Sequence, residues 1–201
     1  MTDLFQEPPG ATPLDESDRE GLIPTWIATK ADLNLAEQEN VAAATIWALS
    51  RRRRISDLNQ AFLKELHRRM FEEVWRWAGK YRTQETNIGV PPISVPTETE
   101  NLVRDLQEQI AHLEQIPWSA DEVAVRFHHR LVAIHPFPNG NGRHARLATD
   151  VIARALGREL FSWGSGASLV EAGAVRAGYL EALRIADRDG DYTPLLGFAR
   201  S

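Results

Sequence analysis

The sequence predicts an all-α fold in one domain. Apolar residues recur at steps of three and four through about seven segments, which is the spacing of one helix face. Several of these segments open with a Ser, Thr or Asp that is followed three residues later by Asp, Glu or Gln, a pattern typical of helix starts. Only residues 80–96 are rich in β-forming residues, and Gly and Pro interrupt them.

Length and composition agree with this class. The chain has 201 residues, of which 43% are hydrophobic and 25% charged, as in ordinary globular domains. Cysteine is absent, which excludes disulfides, a thiol nucleophile and a Cys-type zinc site. The net charge of -5 gives no general reason to expect a nucleic-acid partner. The sequence has neither a signal-peptide pattern nor an apolar run long enough for a membrane span, so we expect a cytoplasmic protein.

The chain is expected to open with an irregular arm over residues 1–28 and to continue as a single domain over residues 29–201. The first helix is predicted at about 29–52, with Thr29 and Asp32 forming a capping box. Glu39 is predicted at the buried edge of its apolar face, although an average glutamate is exposed. That face contains Leu33, Ala36, Asn40, Ala43 and Trp47.

Further helices follow from the same spacing. They are predicted from Asp57 to Trp77, Thr97 to Leu113, Ser119 to Ile134, Ala145 to Leu156, Ser168 to Leu183, and from Thr193 onward. Residues 80–96, between the second and third helices, favour a short hairpin or an extended strap, with a plain connecting loop as the alternative. An exposed strand edge there would suit docking of an extended peptide.

The stretch from His135 to Arg146, which reads HPFPNGNGRHAR, contains most of the candidate chemistry. Gly140 and Gly142 stand just before a helix, where backbone N–H groups can converge on an anion. Arg143 lies three residues before Arg146, so both share one face of that helix. Two arginines at a helix start oppose the helix dipole, and a bound polyphosphate would explain them.

His135 is the candidate proton acceptor, because an imidazole titrates near neutral pH. Each of these features has a simpler explanation when it is taken alone. Loops before helices are common, paired arginines are often surface residues, and a lone histidine is more often structural. The interpretation depends on their combination.

In combination, these residues resemble the signature of the Fic family, His-x-Phe-x-(Asp/Glu)-Gly-Asn-Gly-Arg-x-x-Arg. The one departure is Asn139, which stands at the acidic position. The helical order and the segment from Trp77 to Arg82 extend the resemblance to residues 40–200. Within the family the chain resembles the small bacterial proteins called mobile mystery protein B.

The resemblance implies a Fic-type helical bundle with a short β-hairpin flap, and transfer of AMP from ATP to a Ser, Thr or Tyr hydroxyl of a protein. His135 would be the general base and Asn139 would occupy the Mg²⁺-ligand position. The nucleotide would be held by Gly140, Asn141, Gly142, Arg143 (β-phosphate) and Arg146 (γ-phosphate). The target segment would dock on the flap at Ile88, Gly89 and Val90.

The resemblance also implies autoinhibition. Many Fic proteins contain the motif (Ser/Thr)-x-x-x-Glu-(Gly/Asn), whose glutamate pairs with the second motif arginine and excludes the γ-phosphate. Here Glu39 and Asn40 match it, while Leu35 replaces the hydroxyl residue. We therefore expect Glu39 to pair with Arg146. Glu20-Gly21 is a weaker second candidate.

Three alternatives remain open. The same stretch, His135 to Arg146, could serve a kinase reaction or bind another nucleotide. The chain could instead be a toxin-like module that is inactive until a regulatory partner protein releases it, and self-modification is a further outcome. Residues 51–54, all arginine, could suggest nucleic acid, but they are more simply favourable partners of a helix C-terminus.

The neutral side chain of Asn139 gives a first prediction. Because Mg²⁺ prefers carboxylate oxygens, we expect weaker Mg²⁺ dependence or lower activity than in a relative with an acidic residue there. Asn139→Asp should raise the rate of nucleotidyl transfer, measured with labelled ATP. An unchanged rate would count against this interpretation.

Overall fold

Seven α-helices make up most of the described chain, which comprises residues 21–164 and 173–201 of a computed structural model. The helices are α1 (Lys30–Leu49), α2 (Gln60–Phe71), α3 (Val95–Ala111), α4 (Ala120–Ile134), α5 (Asn141–Ala155), α6 (Ala174–Asp189) and α7 (Thr193–Arg200). The predicted all-α class is confirmed. Within the described ranges no helix combines the length and apolar character that crossing a membrane requires. The predictions for residues 1–20 and for a helix start at Ser168 lie outside the described residues.

The α4–α5 pair forms the centre of the fold. α3 packs on α4, α1 packs on α2 and α5, and α7 joins α6 to α4. The largest fully buried side chains between these helices include Trp75, Phe71, Phe137, Leu66, Met70 and Ile152. The loop that connects α4 to α5 therefore lies inside the core, where packing restricts its conformation.

Helix α1 begins where the sequence predicts. The Thr29 hydroxyl accepts the Asp32 N–H at 3.2 Å, and the Asp32 carboxylate accepts the Thr29 N–H at 2.9 Å. The predicted face is confirmed at Leu33, Ala36 and Asn40, but Ala43 and Glu39 are exposed. The buried residues are Leu33, Ala36, Glu37, Asn40, Ala44 and Ala48. Apolar residues surround this helix on most sides, so their spacing does not determine which face is buried.

Helix α2 ends at Phe71, six residues earlier than predicted. The following residues form turns that pair with the N-terminal arm: the Ile23 N–H donates to the Val74 carbonyl at 2.9 Å, and the Arg76 N–H donates to the Gly21 carbonyl at 2.8 Å. These main-chain bonds replace those that a longer helix would make.

Helix α3 begins at Val95 after a short 3₁₀ turn, Pro92–Ser94, so the capping box predicted at Thr97 is wrong. Pro96 lies in its first turn, where the missing N–H of proline has little cost. The start predicted for α4 is confirmed, since Ser119 accepts the Glu122 N–H at 3.1 Å.

Residues 80–91 form no β-hairpin, and the predicted hairpin flap is wrong. In the described part of the chain the only β-type pairing is a single bridge between Leu22 and Trp75. Val90 donates its N–H to the Ile134 carbonyl at 3.3 Å, and its own carbonyl accepts the Arg82 guanidinium. Because both main-chain groups of Val90 are used in this way, it cannot pair with a second strand. We call residues 80–91 the strap.

Asn40, which the sequence assigned to an inhibitory motif, joins α1 to the end of α2. Its Nδ2 donates to the Arg69 carbonyl at 3.1 Å, and its Oδ1 accepts the Glu73 N–H at 3.0 Å. Asn40→Ala should lower the free energy of unfolding by about 1–3 kcal/mol, because it leaves two partly buried main-chain groups without their side-chain partner. Urea denaturation measures this loss.

The matched control is Glu39→Ala, one residue earlier on the exposed face of α1. It should change the free energy of unfolding by less than about 0.5 kcal/mol. Equal effects of the two substitutions would contradict the role assigned to Asn40.

Candidate active site

The loop of residues 135–140 connects α4 to α5. It opens with His135 in the left-handed conformation (φ 54°, ψ 61°), which ends α4. It closes at Gly140 (φ 77°), where an added Cβ would lie 2.4 Å from the Phe71 ring. Only glycine satisfies both the conformation and the space at that position. The chain then enters α5 at Asn141.

The Asn141 side chain holds this loop in shape. Its Nδ2 donates to the Phe137 carbonyl at 2.7 Å, and its Oδ1 accepts the Phe137 N–H at 2.9 Å. The family resemblance implied that Asn141 would help to hold phosphates, but here its side chain bonds to the loop. The first N–H groups of a helix have no partner within the helix, so those of Gly142 and Arg143 at the start of α5 are suited to an anion.

His67 supports the loop from α2, a role that no sequence motif indicated. Its Nδ1 accepts the Gly79 N–H at 3.0 Å, so its Nε2 carries the proton and donates to the Asn139 carbonyl, also at 3.0 Å. Its ring stacks on Phe137 with 3.7 Å between centroids. Burial lowers the pKa of His67 well below its ordinary value. The loop is therefore supported by a neutral imidazole of fixed tautomer.

His135 is buried, and burial lowers its pKa to about 4. A hydrogen bond with the Val132 backbone opposes this shift, and the nearby positive charge of Arg82 adds to it. The imidazole is consequently neutral at physiological pH, which is the state that can accept a proton from a hydroxyl.

Arg143 at the start of α5 forms an ion pair with Glu37 of α1. Its Nη1 donates to Glu37 Oε2 at 2.6 Å, and the Trp75 indole N–H donates to Glu37 Oε1 at 2.7 Å. Only 6% of the Glu37 side chain is exposed, against 21% of the Arg143 side chain. The carboxylate is thus fixed by a cation and an indole beside the loop, at a position the sequence analysis overlooked.

Glu39 does not occupy this position. It is exposed, and it makes no ion pair with any residue of the described ranges, so the expected pair with Arg146 is absent. The sequence offered one signal for Glu37: it continues the spacing of Leu33, Asn40 and Ala44 on α1.

Arg146 points toward α6, where it donates a hydrogen bond to the Tyr179 hydroxyl. That hydroxyl lies 2.8 Å from Nε2 of His128. Burial lowers the pKa of Arg146, Tyr179 opposes this shift, and the charges of Arg143 and Arg176 lower the pKa further. The guanidinium groups therefore form a positive cluster at the start of α5, which favours an anion.

Asp150 lies one turn beyond Arg146 on α5, and burial raises its pKa to about 6. Its Oδ1 accepts the Trp163 indole N–H and the Phe161 N–H, each at 3.1 Å. This carboxyl group titrates within the physiological range, next to the arginine cluster.

Asn139, at the expected Mg²⁺-ligand position, is hydrogen-bonded within the protein. Its Oδ1 accepts the Gly140 N–H at 2.6 Å, and its carbonyl accepts a hydrogen bond from His67 Nε2. Across residues 21–164 and 173–201, no group of three or more His, Asp or Glu side chains could hold a metal ion. The residues present therefore do not fit a protein-bound Mg²⁺ at this position.

The strap lies beside the loop. The Arg82 N–H donates to the Pro136 carbonyl at 3.0 Å, and Val90 is bonded to Ile134. Ile88 and Gly89 are exposed between these two attachments. The structure thus places the strap against the end of α4 and His135, without a β-hairpin.

Sequence comparison finds relatives of this central region. Residues 57–153 match the Fic/DOC family model, which covers α2 to α5 and the loop. A protein of Sinorhizobium fredii, named as a probable protein adenylyltransferase, is 30% identical over 109 residues. The alignment spans 52% of this chain and 57% of that relative, less than two thirds of its length.

Solved structures share the fold. The BepC protein of Bartonella tribocorum, with bound AMPPNP, has a TM-score of 0.63 at 16% identity, covering 99% of this chain and 96% of that one. The N-terminal Fic domain of a Bep effector protein from Bartonella quintana, with bound ADP, has a TM-score of 0.63 at 19% identity, covering 88% and 86%. The chain is thus similar to Fic/DOC family proteins in the sequence of residues 57–153, just under half of its length, and in its fold.

Proposed function

We propose that the protein transfers AMP from ATP to a Ser, Thr or Tyr hydroxyl of a protein. The observation that carries this proposal is one short loop with the neutral imidazole of His135 at one end and the arginine cluster at the other. A base and an anion site so close together suit the attack of a hydroxyl on a phosphate. The relative named as an adenylyltransferase and the AMPPNP-bound BepC protein support ATP as the donor.

In the proposed reaction the target hydroxyl gives its proton to His135 while its oxygen forms a bond to the α-phosphorus. The bond from the α-phosphorus to the bridging oxygen breaks, and its electron pair leaves with pyrophosphate. Arg143 would contact the β-phosphate and Arg146 the γ-phosphate. With the N–H groups at the start of α5, they offset the negative charge that develops on the leaving group.

Glu37 is proposed to keep the site closed, in the role that the sequence assigned to Glu39. Its carboxylate occupies the Arg143 guanidinium that pyrophosphate would need. The Trp75 indole holds the second carboxylate oxygen, so the group cannot simply rotate away. ATP binding would therefore require Glu37 to leave, and a partner protein that displaces α1 would have the same effect.

Glu37→Gly should increase self-modification by about tenfold or more. A hydrogen bond to a charged group contributes about 1.5–3 kcal/mol, and 1.4 kcal/mol corresponds to a factor of ten. The measurement is transfer of label from ATP labelled at the α-phosphate. The matched control is Glu39→Gly, on the exposed face of the same helix, which should behave as the wild type.

The outcomes separate the alternatives. Label transferred from the γ-phosphate would indicate a kinase reaction instead. Activation by Glu39→Gly but not by Glu37→Gly would reverse the inhibitory assignment. A silent double variant Glu37→Gly/Glu39→Gly would argue against both autoinhibition and the transfer itself.

The lowered pKa of His135 predicts the acid limb of the pH profile. The base acts only when neutral, and its pKa is about 4 instead of 6.5. In Glu37→Gly protein, kcat/KM should stay flat on the acid side from pH 8 to about pH 5.5, then fall about tenfold per pH unit below pH 4. A half-loss near pH 6.5 would contradict this.

Asp150 also titrates in this window, with a pKa of about 6, and its protonation would alter the charge near Arg146. Asp150→Asn retains an oxygen for the Trp163 and Phe161 N–H groups but does not titrate. A bend near pH 6 that disappears in this variant would belong to Asp150 and not to His135. His135→Ala should abolish transfer at every pH.

A further inference from the structure

Arg82 is a buried arginine whose side-chain hydrogen bonds to described residues all go to main-chain carbonyls. It is 4% exposed. Its Nε donates to the His135 carbonyl at 2.6 Å, and its Nη1 donates to the Gln84 carbonyl at 3.0 Å. Its Nη2 donates to the Val90 carbonyl and, more weakly, to the Ile134 carbonyl at 3.4 Å.

The distribution of these bonds argues against two simpler roles for Arg82, namely phosphate binding and general stabilisation of the core. A guanidinium has five N–H donors, and four hydrogen bonds to carbonyls leave at most one for a phosphate. Arg82 makes no ion pair within the described residues, although the charge of Glu85 partly offsets the lowering of its pKa by burial. A buried cation without a paired anion is costly, so general core stability does not account for it.

The four carbonyls belong to two segments. Ile134 and His135 lie where α4 passes into the loop of residues 135–140, while Gln84 and Val90 lie in the strap. The Arg82 main chain adds a fifth link through its N–H to Pro136. One side chain thus connects the strap to the backbone of the candidate base.

The strap and the base are in direct contact at Gly89. A Cβ added there would lie 2.5 Å from Arg82 Nη2, 2.9 Å from His135 Cβ and 3.2 Å from the Ile134 carbonyl oxygen. The backbone of Gly89 also has φ of 123°, which L side chains rarely adopt. No side chain fits between the strap and His135, so the Arg82 bonds determine their separation.

We propose that Arg82 is a positioning residue for the transfer reaction, because it fixes the strap that presents the target segment at a set distance from the His135 imidazole. This inference rests on the proposed function. The Arg82 bonds also determine which residue of the strap can pair with the main chain of a target segment. Both main-chain groups of Val90 face inward, whereas those of Gly89 make no hydrogen bond with a described residue. The target backbone is therefore expected to pair at Gly89 and not at Val90.

The test uses the full chain in the Glu37→Gly background. Arg82→Lys keeps the charge but cannot reproduce the planar fork of donors. We expect it to lower the single-turnover rate of α-labelled ATP transfer by about tenfold to a hundredfold, the effect of a small misplacement of reacting groups. The dissociation constant for ATP, measured by calorimetry, should change less than about twofold.

Two further variants keep the test decisive. Gly89→Ala displaces the strap without removing a charge, so it should give the same loss of rate even if Arg82→Lys folds poorly. Arg52→Lys is the matched control, since Arg52 Nε also donates to a backbone carbonyl, that of Ala155 at 3.0 Å, outside the site. It should leave both the rate and ATP binding unchanged.

Hydrogen exchange supplies a readout that does not depend on activity. Arg82→Lys should raise exchange of the Val90 amide by about tenfold or more and leave the amides of α5 unchanged. An unchanged transfer rate, or equal losses in rate and in ATP binding, would overturn the proposal. If the Glu37→Gly parent transfers no label, the proposed function fails. Exchange then decides alone, and an unchanged Val90 amide would overturn the role of Arg82.

Discussion

The need to satisfy buried main-chain carbonyls governs the structure around the site. Regular hydrogen bonding stops where α4 ends, yet the chain stays inside the core until α5 begins. Three side chains replace the missing bonds. Arg82 bonds to Ile134 and His135, Asn141 to Phe137, and His67 to Asn139. The loop of residues 135–140 has a defined shape because α2, the strap and α5 each contribute a hydrogen-bond donor to it.

The charge near the start of α5 comes from a small set of residues. The chain carries a net charge of -5, but the start of α5 gathers Arg143, Arg146 and Arg176. The buried histidines add nothing to this positive charge, because burial lowers the pKa values of His67, His135 and His144. The local charge is therefore determined by the arginines and by two carboxyl groups, Glu37 and Asp150.

The sequence predicted the features that local rules control. The caps at Thr29 and Ser119 and the end of α4 at His135 all depend on neighbouring residues. The resemblance to the Fic family also rests mainly on one uninterrupted stretch, His135 to Arg146.

Other features depend on contacts between distant residues, and sequence spacing could not reveal them. Helix α1 is apolar on several faces, so spacing favoured Glu39 when packing against Trp75 and Arg143 selects Glu37. Helix α2 stops early because the N-terminal arm supplies competing main-chain bonds. The predicted hairpin does not form, because the guanidinium of Arg82, eight residues earlier, donates to the Val90 carbonyl. His67 carries no motif and is recognised only from its two bonds.

The order of Glu37 and Arg143 along the chain also has a consequence during protein synthesis. The two residues are 106 positions apart, and the glutamate comes first. At a synthesis rate of about 5–20 residues per second, the ribosome makes Arg143 roughly 5–20 seconds after Glu37. Every chain long enough to contain the arginine therefore already contains the carboxylate that pairs with it. At no stage of its synthesis does the chain contain Arg143 without also containing Glu37.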